Sequence, residues 1–147
     1  MTRTASDPAV SVNASIDLEP PIETLVVEFP SGLPGFESCR QFVLIASADL
    51  SPLGCLKAVD GSDVSFLVID PRLLSFNYDL TLSEFERERL GVTTDEPLLW
   101  LSIVTVTEKA ATANLRAPVV INPSTMIGCQ VIREKDQYPV QFAISPG

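Results

Sequence analysis

Turn-forming residues cut this chain into apolar runs too short for helices, and that segmentation constrains the fold more than any other feature. Twelve prolines and seven glycines are spread through 147 residues. Between them lie stretches rich in Val, Ile, Leu and Phe that suit strands. The pattern predicts strands over Glu23–Phe29, Gln41–Ala46, Gly54–Val59, Val64–Ile69, Leu98–Thr107, Ala117–Asn122 and Cys129–Arg133. Val64–Ile69 loses polar alternation after Ser65, as a strand buried on both faces does. Gly32 and Gly35 permit positive φ and Pro34 fixes φ between them, so Ser31–Gly35 reads as a tight turn. Asp60-Gly61-Ser62-Asp63 reads as a hairpin turn, Asp70-Pro71 as a strand end, and Pro118 as a strand entrance.

One stretch, Leu82–Leu90, is patterned as a helix. Thr81 and Glu84 match a capping box, Leu82, Phe85 and Leu90 can share one face, and Gly91 supplies a left-handed stop. Seven short strands and one short helix (about 82–90) predict a mainly β chain, a single-domain antiparallel barrel or sandwich. Residues 1–21 read as a flexible N-terminal arm with a short strand near Val10–Val12, residues 22–134 as the β domain, and residues 135–147 as a polar tail that frays.

Composition narrows the chemistry. The chain contains no histidine, which removes Ser-His-Asp and Cys-His catalysis and His-based zinc or iron sites. Cys39, Cys55 and Cys129 form no close pair and read as reduced thiols packed as small apolar residues, in preference to a three-thiolate zinc site. Ten basic against nineteen acidic residues give a net charge of −9. That balance disfavours direct contact with nucleic acid or an anionic membrane and suits a basic protein partner. No run is long enough to span a membrane, and the first twenty residues lack the basic start and apolar run of a signal peptide, so the expected location is the cytoplasm. Asn13-Ala14-Ser15 fits a glycosylation pattern by chance in such a protein.

Residues that could carry a site each have a plainer explanation. Gly32–Gly35 lacks the lysine and following helix of a phosphate loop. Glu28 with Glu37, or Asp60 with Asp63 and Asp70, are the only devices left for a carboxylate hydrolase, and turn chemistry accounts for all of them. Calcium at Asp60–Asp63 would lack the closing bidentate glutamate. Lys57 reads as outward-pointing on its strand, and Trp100 as core. The chain does not read as an enzyme, and no cofactor is implied.

In combination, several of these segments are specific. Phe29 with Gly32-Leu33-Pro34-Gly35-Phe36-Glu37, Phe42, Val64–Pro71, Phe76–Leu80, Ile103-Val104-Thr105, and Thr112–Leu115 with Ala117-Pro118-Val119-Val120-Ile121-Asn122 together resemble the FliW family of flagellar assembly factors. The resemblance covers about Leu25 to Ile132, with Lys57, Arg116, the long arm and Tyr138–Phe142 departing from the family pattern. It implies a barrel-like β fold and a cytoplasmic regulator, a monomer when unbound, that binds two proteins in turn. These are flagellin and the translational repressor CsrA, whose capture lifts repression of flagellin translation. The partner surface is expected along Asp70, Phe76, Tyr78, Asn114 and Arg116, polar or aromatic residues beside turns. The alternatives are an Asx-type turn for Asn114 and a core position for Phe76. The rival function is a small barrel that holds an apolar metabolite in its interior.

Overall fold

The computed structural model describes residues 22–60, 63–93, 95–134 and 137–144. The N-terminal arm, including Val10–Val12, and the tip of the Asp60–Asp63 turn lie outside them. The described strands are β1 (Ile22–Glu28), β2 (Gln41–Ser47), β3 (Leu53–Ala58), β4 (Ser65–Ile69), β5 (Leu99–Val106), β6 (Ala111–Ala113), β7 (Val119–Asn122), β8 (Ile127–Gln130) and β9 (Phe142–Ala143). A 3-10 turn, Pro71–Leu73, follows β4, and the helix α1 is Glu84–Leu90.

Strands β1 to β5 form an antiparallel meander. The first half of β5 then pairs with β7, with Trp100 opposite Val120, while β7 pairs with β8. The ring closes where Glu28 meets Ile127 in the one parallel contact among the described strands, the Glu28 N–H donating to the Met126 carbonyl at 2.9 Å. Seven strands thus make a closed barrel. The second half of β5 leaves the ring and pairs with β6, which carries β9 on its other edge. β5 can serve two neighbours on one edge because it is the longest strand, eight residues.

Period-2 alternation sorts the side chains into two apolar layers. Val27, Phe29, Phe42, Leu56, Val68, Val119 and Ile121 fill the barrel interior. Trp100, Val104, Val120, Cys129 and Ile69 point outwards and are covered by Leu90, Tyr78 and Leu115. The β4 run serves both layers, Val68 inside and Ile69 outside, which is why it lacks polar alternation. Lys57 is exposed and Trp100 buried, as the sequence implies.

Local chemistry sets the turns. Gly32 and Gly35 have φ of 65° and 87°. A Cβ on Gly32 would stand 2.6 Å from the Glu37 backbone, so the turn needs glycine there for space as well as for φ. Gly91, with φ 69°, ends α1, and the Leu90 carbonyl it leaves behind accepts from Asn122 Nδ2 and Thr125 Oγ1, both at 2.9 Å. These bonds tie the helix C-terminus to the β7–β8 turn and satisfy a carbonyl the helix itself cannot.

Four details differ from the sequence reading. The capping box is Ser83 with Glu86, because Thr81 is already held through its N–H and Oγ1 by Asp79 Oδ1. The helix therefore starts later, Leu82 precedes it, and Phe85 faces solvent at 66% exposure beneath the Arg89 guanidinium. The last hairpin pairs Val119–Asn122 with Ile127–Gln130, since its turn extends to Met126 at φ 60°. Fraying beyond Glu134 does not hold for residues 137–144: Phe142 pairs with Ala113, and the Leu115 N–H donates to the Pro139 carbonyl at 3.1 Å.

Barrel closure depends on a missing side chain. A Cβ on Gly128 would lie 2.7 Å from Phe29 Cε2 and 3.2 Å from Val27 Cγ1. Gly128→Ala is expected to destabilise the protein by about 1–3 kcal/mol in denaturant unfolding. Combined with Phe29→Leu, it should cost less than the sum of the two single changes, because the ring it strikes is gone. Additive costs would disprove the proposed clash.

Candidate functional site

The segment from Asp70 to Leu82 is held at both ends and displays apolar side chains between them. At its start, Asp70 caps the 3-10 turn: Oδ1 accepts from the Arg72 N–H at 2.9 Å, and its carboxylate pairs with the Arg72 guanidinium at 2.5 Å. Burial raises the Asp70 pKa, but the Arg72 hydrogen bonds and charge outweigh it and leave the carboxyl below its usual range. Pro71 is buried at the first position of the turn, where its missing N–H does no harm.

At the far end Tyr78 is the anchor. Its ring is buried against Tyr138 and Trp100, at centroid distances of 4.5 and 6.3 Å, and its hydroxyl donates to the Leu115 carbonyl at 2.6 Å. Burial pushes its pKa up to about 12. Tyr138 in turn accepts the Asp79 N–H at 2.7 Å. Arg133, mostly buried, lies 5.1 Å over the Trp100 ring and donates to the Thr81 carbonyl at 2.6 Å. Hydrogen bonds from the Thr81 side chain and backbone hold the Asp79 carboxyl below its usual range.

Between Asp70 and Tyr78 the chain exposes Leu73 (63%) and Phe76 (94%), and Leu80 (39%) is exposed just beyond. Phe76 is therefore not core. The turn that carries it is fixed locally by the Ser75 N–H bonding to the Pro71 carbonyl at 2.9 Å and the Tyr78 N–H to the Ser75 carbonyl at 3.1 Å. Leaving a phenylalanine unburied forgoes roughly 1.5–3 kcal/mol.

Of the five residues expected along a partner surface, the fold gathers Tyr78, Asn114 and Arg116. Asn114 Oδ1 accepts the Arg116 and Ala117 N–H groups at 3.0 and 3.1 Å, an Asx turn, and Arg116 Nε donates to the Tyr138 carbonyl at 2.9 Å. Tyr78 is too buried to be a contact in the free protein and serves as a support. Phe76 stands at the tip of the loop that Tyr78 anchors, while Asp70 is engaged locally with Arg72. The turn residues Gly32, Pro34 and Gly35 shape the β1–β2 connection, with Glu37 Oε2 accepting the Gly35 N–H at 3.1 Å. Sequence reading missed Tyr138 and Arg133. A tyrosine within an otherwise polar stretch was the available signal for Tyr138.

Beside the loop runs a groove of about 520 Å³, with Leu80, Leu82, Val92, Pro97, Leu98 and Trp100 among its lining. Cys39 and Cys129 are buried, and burial pushes the Cys129 thiol up, away from reactivity. Among the described residues no group of three His, Cys, Asp or Glu side chains is placed to hold a metal ion. No helix among them is long and apolar enough to cross a membrane.

Comparison with known proteins decides the family. A family model described as FliW protein matches residues 16–144. The chain belongs to the FliW family. A relative from Thermotoga neapolitana named flagellar assembly factor FliW is 36% identical over 120 residues, covering 80% of each chain. One of the same name from Carboxydothermus hydrogenoformans is 37% identical over 124 residues, covering 83% of this chain and 80% of its own. A crystal structure of the flagellar assembly factor FliW superposes with a TM-score of 0.75 at 33% identity, covering 82% of this chain and 86% of that one.

The Asp70 and Asp79 pKa shifts make a test of the loop. Both carboxyls are lowered from 3.8, so their contribution is present in full above that value and is lost as pH falls through the lower folded-state pKa. Amide exchange at Arg72 and Thr81, corrected for intrinsic rate, should lose protection as pH falls below 3.8, before the β-strands do. Protection that persists unchanged there would remove the two carboxylates as loop locks.

Proposed function

We propose that this FliW-family chain is a flagellar assembly factor that works in the cytoplasm by binding proteins, not by catalysis. Its partners in this reading are flagellin and CsrA, bound in turn. Flagellin occupies the protein while it is abundant, and once flagellin is exported the freed protein captures CsrA and releases flagellin translation from repression.

The observation that carries the reading is Phe76, 94% exposed at the tip of a loop pinned by Pro71 and Tyr78. A rigid aromatic loses little conformational freedom on binding, so nearly all of its burial counts towards affinity. The net charge of −9 favours fast encounter with a basic, RNA-binding protein such as CsrA. The names borne by the relatives support the flagellar context. The rival reading, an apolar metabolite inside the barrel, meets an interior occupied by Phe29, Phe42, Leu56 and Ile121.

Calorimetry of the purified protein with flagellin and with CsrA from the same genome tests the proposal. CsrA binding that flagellin displaces is the expected result, and absence of binding to both, with both partners folded, would overturn it. Phe76→Ser should weaken at least one of the two complexes by about 1–2 kcal/mol or more. It should leave unfolding stability within about 0.5 kcal/mol, since the ring packs against almost nothing.

A further inference from the structure

The groove beside the Phe76 loop has its own chemistry. Its apolar lining, Leu80, Leu82, Val92, Leu98 and Trp100, comes from the segments flanking α1 and from the start of β5. Its volume of about 520 Å³ is in the range that receives a cluster of side chains. Arg72, Arg87, Asp95 and Glu96 also line it. Arg72 is paired with Asp70 at 2.5 Å, and Glu96 accepts from Ser124 Oγ at 2.6 Å. The remaining lining charges are Arg87 against Asp95 and Glu96, an excess of one negative charge.

The wider surface leans the same way. Residues 70–98 hold seven carboxylates (Asp70, Asp79, Glu84, Glu86, Glu88, Asp95, Glu96) and three arginines (Arg72, Arg87, Arg89), and Arg133 lies against Trp100 and Thr81, or 4 − 7 = −3. An apolar trough set in an acidic surface complements a ligand that presents apolar side chains on one face and positive charge around them.

We infer that this groove docks one face of a basic amphipathic helix, with the helix's apolar side chains over Leu80, Leu82 and Leu98 and its Lys or Arg residues towards Asp95 and Glu96. The inference rests on the protein-binding reading above and specifies the chemistry of a partner segment. It makes the groove a second contact surface beside Phe76, with Leu80 belonging to both.

Trp100 is the chain's one tryptophan and lines the groove, so its emission reports occupancy without a label. The full chain is titrated with a synthetic helix bearing leucines at every third and fourth position and lysines elsewhere, and with the same helix bearing glutamates for lysines. The lysine helix should change Trp100 emission and bind at least about tenfold tighter than the glutamate helix, with an affinity that falls as salt rises. Leu80→Asp should weaken it by at least about tenfold, and Asp95→Lys by a few-fold with a shallower salt dependence. Asp95 is exposed, so Asp95→Lys remains informative if Leu80→Asp fails to fold.

Equal affinity for the two helices, or unchanged binding by both variants, would overturn the inference. So would a self-association in sedimentation that Leu80→Asp abolishes, because the occupant would then be a second copy. Flagellin and CsrA binding, measured in parallel, separates the two proposals. If they bind and the lysine helix does not, the groove assignment fails alone. If the helix binds in the groove and neither protein binds, the flagellar reading fails alone.

Discussion

The closure of the barrel rests on one contact between a large ring and an absent side chain. Phe29 sits at the end of β1 and fills the interior, and Gly128 on β8 offers it bare backbone. Because β1 and β8 meet at a single register position, Glu28 opposite Ile127, the seam has little ladder bonding to hold it. Packing of Phe29 and Val27 against β8 must do what a longer hydrogen-bonded ladder does elsewhere in the ring. The outer layer depends on this closure, since α1 and the Asp70–Leu82 segment pack on the outward faces of β5, β7 and β8.

That outer layer carries the exposed Phe76 loop and the groove beside it. A barrel with a filled interior can offer a partner only its outside. Relief comes from what the connections add: the capped turn at Asp70, the helix docked through Leu90 to Asn122 and Thr125, and the segment after Gln130 laid back across the surface. Each is a short element of little intrinsic stability that is held by hydrogen bonds to the barrel. The rigid presentation of Phe76 is the product of these attachments, not of the loop's own conformational preference.

Much of the fold was legible in the sequence because local chemistry decided it. Glycines at positions 32, 35 and 91 stand at positive φ, Pro118 precedes a strand, and the apolar β4 run divides between two layers as its lack of alternation implied. The helix cap was misread by two residues, because Asp79 competes for Thr81 and local pattern alone cannot rank two overlapping caps. The site was less legible still. Phe76 reads in sequence as either a partner contact or a core position, and the fold shows it standing in solvent. Tyr138 and Arg133 act on residues 59 and 52 positions away, at Asp79 and Thr81, and no short-range periodicity encodes such pairings.

The bond from the Asp79 N–H to Tyr138 has a consequence for the order of events during synthesis. A chain leaves the ribosome from its N-terminus, at about 5–20 residues per second. Asp70 to Leu80 emerge well before the residues that fasten them. Leu115, which receives the Tyr78 hydroxyl, follows later, and Tyr138 later again. The nascent barrel can therefore assemble its meander while the Phe76 loop still lacks its far anchor. The Phe76 loop therefore gains its far anchor only after β8 has emerged, and until then its exposed ring rides on a segment fastened at the Asp70 end alone.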